Sequence, residues 1–205
     1  VAHVSDEAAL GGLAVLASGT GTVLEALIEA GLPVSVILVD RPCRAGLVAK
    51  EAGIALEEVT RDCYGRDFSR SRYTEAVVSR LQAHGIGTVA MAGFGTVLGD
   101  AMLAAFPGRV VNTHPSLLPS FKGWHAVKDA LEAGVQETGC TVHIATAQVD
   151  EGPILARESV PVLPGDTVES LHERIKSVER RLYPAVLGRL ISGGEAAVLT
   201  GRPQP

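Results

Sequence analysis

The chain has 205 residues and a mass of 21.3 kDa, with 46% hydrophobic and 20% charged residues; this globular balance excludes disordered, collagen-like and coiled-coil classes. Its 18 Lys+Arg against 23 Asp+Glu leave a formal charge of −5, which lacks the basic footprint of a general nucleic-acid binder. No apolar run reaches the ~18 residues of a membrane span, and no basic stretch precedes an apolar signal core, so the expectation is a cytoplasmic protein with small-molecule partners, no nucleic acid and no membrane.

From Leu13 onward, strand-like and helix-like segments alternate, the pattern of a doubly wound, mostly parallel α/β sheet with helices on both faces. Leu13–Ala17 is a short apolar strand; Ser18-Gly19-Thr20-Gly21-Thr22 turns the chain into a helix over Val23–Ala30, which Gly31 closes. Val34–Val39 is a β-branched run ending at Asp40, and Ala45–Ala52 is a helix stopped by Gly53. Ile54–Thr60 reads as a weak strand, and the stretch from Ser69 or Ser71 to Ala83 as a helix whose stripe is Tyr73, Val77, Val78 and Leu81.

Thr88–Ala92 is the next strand, Gly93-Phe94-Gly95-Thr96 a loop, Asp100–Phe106 a short helix, and Arg109–Asn112 a strand whose exit is stiffened by Pro115 and Pro119. A helix over Ala126–Ala133, strands over Cys140–Thr146 and Ile154–Val160, and a long helix over Val168–Leu182 with a kink or end at Pro184 complete the pattern. The absence of an internal linker argues for one domain over 1–205, with 1–12 as an extension and 193–205 as a tail that no periodicity assigns. Cys43, Cys63 and Cys140 share no C-x-x-C spacing and the six histidines form no H-E-x-x-H pattern, so no disulfide framework and no metal is expected.

Three places could carry chemistry. The Gly19-Thr20-Gly21-Thr22 turn would present free N–H groups and a positive helix end to an anion. Asp40, about 20 residues on, would suit the ribose of a dinucleotide, but Leu24 fills the third glycine position of G-x-G-x-x-G. Asn112 and His114, two apart on a strand, would project to the same side at the carboxyl end of a parallel sheet, where such folds hold ligands. Asp150-Glu151-Gly152-Pro153 is an acidic turn, and turn carboxylates ordinarily face solvent. Arg61, Arg66 and Arg72 read as a solvated face, and Trp124 as a packing residue.

The ordered set Ser18-Gly19-Thr20-Gly21-Thr22, Ala92-Gly93-Phe94, Asn112-Thr113-His114-Pro115-Ser116-Leu117-Leu118-Pro119, Thr141-Val142-His143 and Asp150-Glu151-Gly152-Pro153 resembles the folate-dependent glycinamide ribonucleotide formyltransferase family from about Leu13 to Pro184. The resemblance implies formyl transfer from 10-formyltetrahydrofolate to the amine of 5-phosphoribosylglycinamide in purine biosynthesis, without a metal. It assigns catalysis to Asn112, His114 and Asp150, the substrate phosphate to Gly21, Thr22 and Val23, and the glycinamide end to Glu179. It assigns folate to Arg70, Gly95, Thr96, Val97, Leu98 and Asn112. The sequence departs from the family pattern at two places: Gly95-Thr96 stands where Met-Arg is common, and Val23 where an asparagine is usual. Formyl transfer to another amine, a methionyl-tRNA formyltransferase catalytic domain, a non-catalytic folate or nucleotide sensor and a nicotinamide-dependent Rossmann protein are the competing readings, and a homodimer is compatible with the sequence.

Overall fold

The computed structural model describes residues 11–61, 63 and 65–193. Most of the expected extension, and the tail beyond Gly193, lie outside these residues. In chain order the elements are β1 (Gly12–Ala17), α1 (Thr22–Glu29), β2 (Val34–Val39), α2 (Arg44–Glu51), β3 (Ala55–Glu58), α3 (Arg70–Ala83) and β4 (Ile86–Met91). They continue with α4 (Asp100–Ala105), β5 (Val110–His114), α5 (Ala126–Glu132), β6 (Glu137–Ile144), β7 (Ile154–Pro161) and α6 (Val168–Gly193).

The seven strands form one sheet in the order β3-β2-β1-β4-β5-β6-β7. The first five are parallel, as helical crossovers require, while β6 and β7 run antiparallel to their neighbours. The expectation of a mostly parallel, doubly wound α/β sheet is met. Winding runs outward from β1 to β3, then restarts on the other side of β1 with β4. The loops leaving the carboxyl ends of β1 and β4 therefore diverge and leave a crevice between them.

Side-chain alternation splits the core across the sheet. Leu13, Val15, Ile37, Val39 and Val111 pack with α1, α2 and α6 residues, including Leu24, Leu27, Tyr183 and Leu187. On the opposite face Ala14, Leu16, Val36, Leu38 and Val89 meet the Tyr73, Val77, Val78 and Leu81 stripe of α3 and Met102 of α4. Each large side chain sealed this way stabilises the fold by roughly 1.5–3 kcal/mol.

Two local expectations are corrected. Strand β5 continues to His114 rather than stopping at Asn112, because pairing with β6 extends to His114–Thr141. Helix α6 continues through Pro184 to Gly193. Proline costs the helix one N–H donor, the one that would reach the carbonyl of Arg180, but Tyr183, Val186, Leu187 and Leu190 are all buried on both sides of it and hold the helix on the sheet.

Candidate active site

The crevice at the switch point is a cleft of ≈ 630 Å³. One end is the turn between β1 and α1, with Gly19 to Val23 in the wall. Gly21, the N-cap of α1, has φ 76 and no side chain caps the helix, so the first N–H groups of the helix are left for a ligand. A side chain at Gly21 is doubly disfavoured, by its left-handed backbone and by Ala45, whose Cα would lie 3.0 Å from an added Cβ. The wall thus includes Gly21, Thr22 and Val23, and Val23 in place of asparagine leaves the main-chain donors intact.

The middle of the cleft is built on β5. Asn112 and His114 lie on one side of the strand, and the register places Asn112 opposite His143 and His114 opposite Thr141 of β6. His114 is 5% exposed. Its Nε2–H donates to the Phe121 carbonyl at 2.8 Å, and its Nδ1 lies 3.4 Å from Asp150 Oδ2. Both ring nitrogens face oxygen acceptors, an arrangement that the doubly protonated imidazolium satisfies.

Asp150 is far from the solvated carboxylate that turn chemistry suggests. It sits in the β6–β7 connection with φ 58 and is 8% exposed. Its Oδ2 accepts the Gly123 N–H at 2.8 Å, and its Oδ1 lies 3.6 Å from His143 Nε2. Burial works against its charge, but the Gly123 N–H and the neighbouring imidazoles outweigh it and hold the carboxyl below its usual range. His143 donates Nδ1–H to the Ile144 carbonyl at 3.0 Å, so its Nε2 accepts an N–H from Asn112 at 3.1 Å. This tautomer, assigned from the hydrogen bonds, leaves the second Asn112 N–H for a ligand in the cleft. His143 was part of the sequence motif without an assigned role; its place opposite Asn112 across the β5–β6 ladder gives it one.

Helix α6 supplies the floor. His172, Lys176 and Glu179 all line the cleft, spaced i, i+4 and i+7 along one helical face. Burial pushes the Glu179 carboxyl up to about 7, against a hydrogen bond from Thr113 and the charges of Lys176 and Arg180. The sequence reading included Glu179 but missed His172 and Lys176, for which the helical spacing from Glu179 was the available signal.

The remaining end is formed by Gly95, Thr96, Val97 and Leu98 after β4. Val97 is 48% exposed, whereas Thr96 is 2% exposed and turns its hydroxyl inward to Asp40 at 2.8 Å. Trp124 also lines the cleft and is 78% exposed, which corrects its reading as a packing residue. Arg70 is not in the cleft wall; it is the exposed first residue of α3, beside Gly99 at the rim. Asp40 is sealed from solvent and ion-paired with Arg41, which removes the carboxylate that the nicotinamide reading needs. Among the described residues no group of three or more His, Cys, Asp or Glu side chains could hold a metal ion, and no helix is long and apolar enough to cross a membrane.

Comparison with known proteins gives this geometry a family. Residues 12–187 match the formyl transferase family. A phosphoribosylglycinamide formyltransferase of Mycobacterium tuberculosis is 46% identical over 191 residues, covering 91% of this chain and 87% of the relative. The trifunctional purine biosynthetic protein adenosine-3 of Homo sapiens is 39% identical over 93% of this chain, which corresponds to 19% of that longer protein. Among solved structures, glycinamide ribonucleotide transformylase 1 from Symbiobacterium toebii superposes with a TM-score of 0.85 at 41% identity, covering 91% of this chain and 90% of that one. The chain belongs to the formyl transferase family.

Proposed function

We infer that the chain transfers a formyl group from 10-formyltetrahydrofolate to the amine of 5-phosphoribosylglycinamide, a step of purine biosynthesis. The observation that carries this reading is the convergence of Asn112, His114 and Asp150 in the same cleft as an uncapped, glycine-lined helix N-terminus. A phosphate on the main-chain N–H groups of Gly21, Thr22 and Val23 would anchor the amine substrate. Glu179 faces the space between that anchor and β5 and would hold the substrate's polar middle or its glycinamide end. The donor would lie along Gly95 to Leu98 with Asn112 at its inner end, and Arg70 at the rim would meet an anionic tail.

The chemistry follows from the groups present. The amine nitrogen attacks the formyl carbon, a carbon–nitrogen bond forms, and negative charge builds on the formyl oxygen. The free Asn112 N–H and the His114 Nε2–H would stabilise that oxygen, the imidazole exchanging its bond to the Phe121 carbonyl for one to the ligand. Asp150, 3.4 Å from Nδ1, sets a negative charge beside the ring. Collapse breaks the bond to the folate nitrogen, and the proton lost by the amine passes to that nitrogen through His114 or a water. The three cysteines, none of them in a disulfide, fit a reducing cytoplasm.

The test is formyl transfer by the purified protein, run with and without 5-phosphoribosylglycinamide. Formylated product that depends on the amine supports the reading; donor consumption at the same rate without amine, or no turnover of a correctly formylated donor, overturns it.

A further inference from the structure

Asp40 occupies the position that sequence spacing offers to a ribose, yet the structure turns it inward. It directly follows β2, is 1% exposed, and gathers donors from three segments. Arg41 Nε donates to Oδ1 at 2.9 Å and Arg41 Nη2 to Oδ2 at 3.0 Å. The Thr96 hydroxyl donates to Oδ2 at 2.8 Å. The Ser18 hydroxyl also hydrogen-bonds Asp40, while its oxygen accepts the Gly95 N–H at 2.6 Å. The result is a closed ring of hydrogen bonds: Gly95 to Ser18, Ser18 to Asp40, Thr96 to Asp40. Gly95 completes it by having no side chain, since an added Cβ would lie 2.9 Å from Arg41 Nη2.

The ring crosses the switch point. Ser18 begins the glycine turn, Asp40 follows β2, and Gly95-Thr96 lie in the loop that forms the opposite end of the cleft. Burial disfavours the Asp40 charge, but the bonds from Arg41, Ser18 and Thr96 outweigh it and keep its carboxyl below the usual range. A buried ion gains a fold little over well-packed apolar residues, but it accepts several donors at once and so fixes the segments that carry them. No backbone ladder ties residues 95 and 96 to β2; the carboxylate does.

We infer that Asp40 is a positioning residue that holds Gly95 and Thr96 against Ser18 and thereby sets the affinity for the formyl donor, a residue for which no role in the reaction is otherwise assigned. This rests on the reading of the loop from Gly95 to Leu98 as the donor's binding wall. The experiment compares Asp40→Asn, Thr96→Val, their combination and Thr96→Ser, with donor and amine concentrations varied separately. Each of the first two variants is expected to raise the donor KM at least ~10-fold while the amine KM stays within about threefold. The combination should fall short of the product of the two single effects, because both weaken the Thr96–Asp40 contact. Thr96→Ser, which keeps the hydroxyl, should return the donor KM to within about threefold of the unsubstituted protein.

An unchanged donor KM, or donor and amine KM rising together, overturns the inference. If Asp40→Asn fails to fold, the contrast between Thr96→Val and Thr96→Ser decides alone. The unsubstituted protein in the same assay separates the two levels: if it does not use the donor, the donor reading falls and this inference with it, whereas normal turnover beside indifferent variants removes only the inference.

Discussion

Replacing Asp150 with asparagine changes one charge in the cleft and almost no volume. The carboxylate stands 3.4 Å from His114 Nδ1, with the two side chains 6% and 5% exposed. At an effective dielectric constant of 20 the attraction of such a pair is about 5 kcal/mol before desolvation is counted. The amide can still accept the Gly123 N–H, so the loop keeps its anchor, but His114 loses the negative charge beside Nδ1 that orients the ring and favours it as a donor to the ligand. Losing one donor to a developing oxyanion costs about 3–4 kcal/mol, or 10²–10³ in turnover. Asp150→Asn is therefore expected to lower kcat by about 100- to 1000-fold, with both KM values changing far less. Initial rates of formyl transfer at saturating donor and amine measure the effect, and thermal unfolding verifies that the variant is folded. His114→Ala should fall in the same range, and the double variant should be no worse than either single, since the two groups act as a unit. A folded Asp150→Asn with kcat within about tenfold of the original would refute the electrostatic role.

Gly21→Ala should destabilise the protein by about 1–3 kcal/mol and raise the KM for the phosphate-bearing amine, because a left-handed backbone is forced on a residue with a Cβ; unfolding curves and amine titrations read both, and an unchanged melting point would remove the argument. Burial raises the Glu179 carboxyl from its usual 4.5 to about 7 in the folded chain, so the folded state holds more protons than the unfolded one between these values and its stability falls as pH rises through them. In Glu179→Gln that part of the slope should vanish, which melting points from pH 5 to 8 will show; parallel profiles would count against it. Asp40 and Asp150 act in the opposite sense: their depressed carboxyls contribute stability above the unfolded value, lost as pH falls through the folded one, so Asp40→Asn should flatten acid unfolding below about pH 4. Trp124 is 78% exposed in the cleft wall, and its emission should shift or quench on addition of a reduced folate and not of NADH; emission indifferent to the folate would exclude the residue from the donor's surroundings.

Local chemistry made much of this legible. The β-branched run Val34–Val39, the Tyr73 to Leu81 stripe and the glycine turn at Gly19–Gly21 each carry their own conformational preference, and β2, α3 and the uncapped start of α1 appear where those preferences place them. The side-by-side projection of Asn112 and His114 needed only the two-residue period of a strand. What failed was whatever depended on distant neighbours. Pro184 reads as a kink or an end, but burial of the residues around it carries α6 onward. Trp124 reads as a packing residue and is exposed.

Asp150 draws the line most clearly. As part of an acidic turn it carries no mark, in isolation, of facing anything but water. Its contact with His114 depends on β6 running antiparallel to β5, on the β6–β7 connection folding back over the strand end, and on Gly123 capping the carboxylate. Periodicity and turn chemistry are short-range and can be read along the chain; the partner of an imidazole and the aim of a carboxylate are set by groups about 30 residues away, whose distance only packing determines. The chain by itself settled the class of fold and the glycine turn that opens α1, and three-dimensional packing decided which acid meets which base.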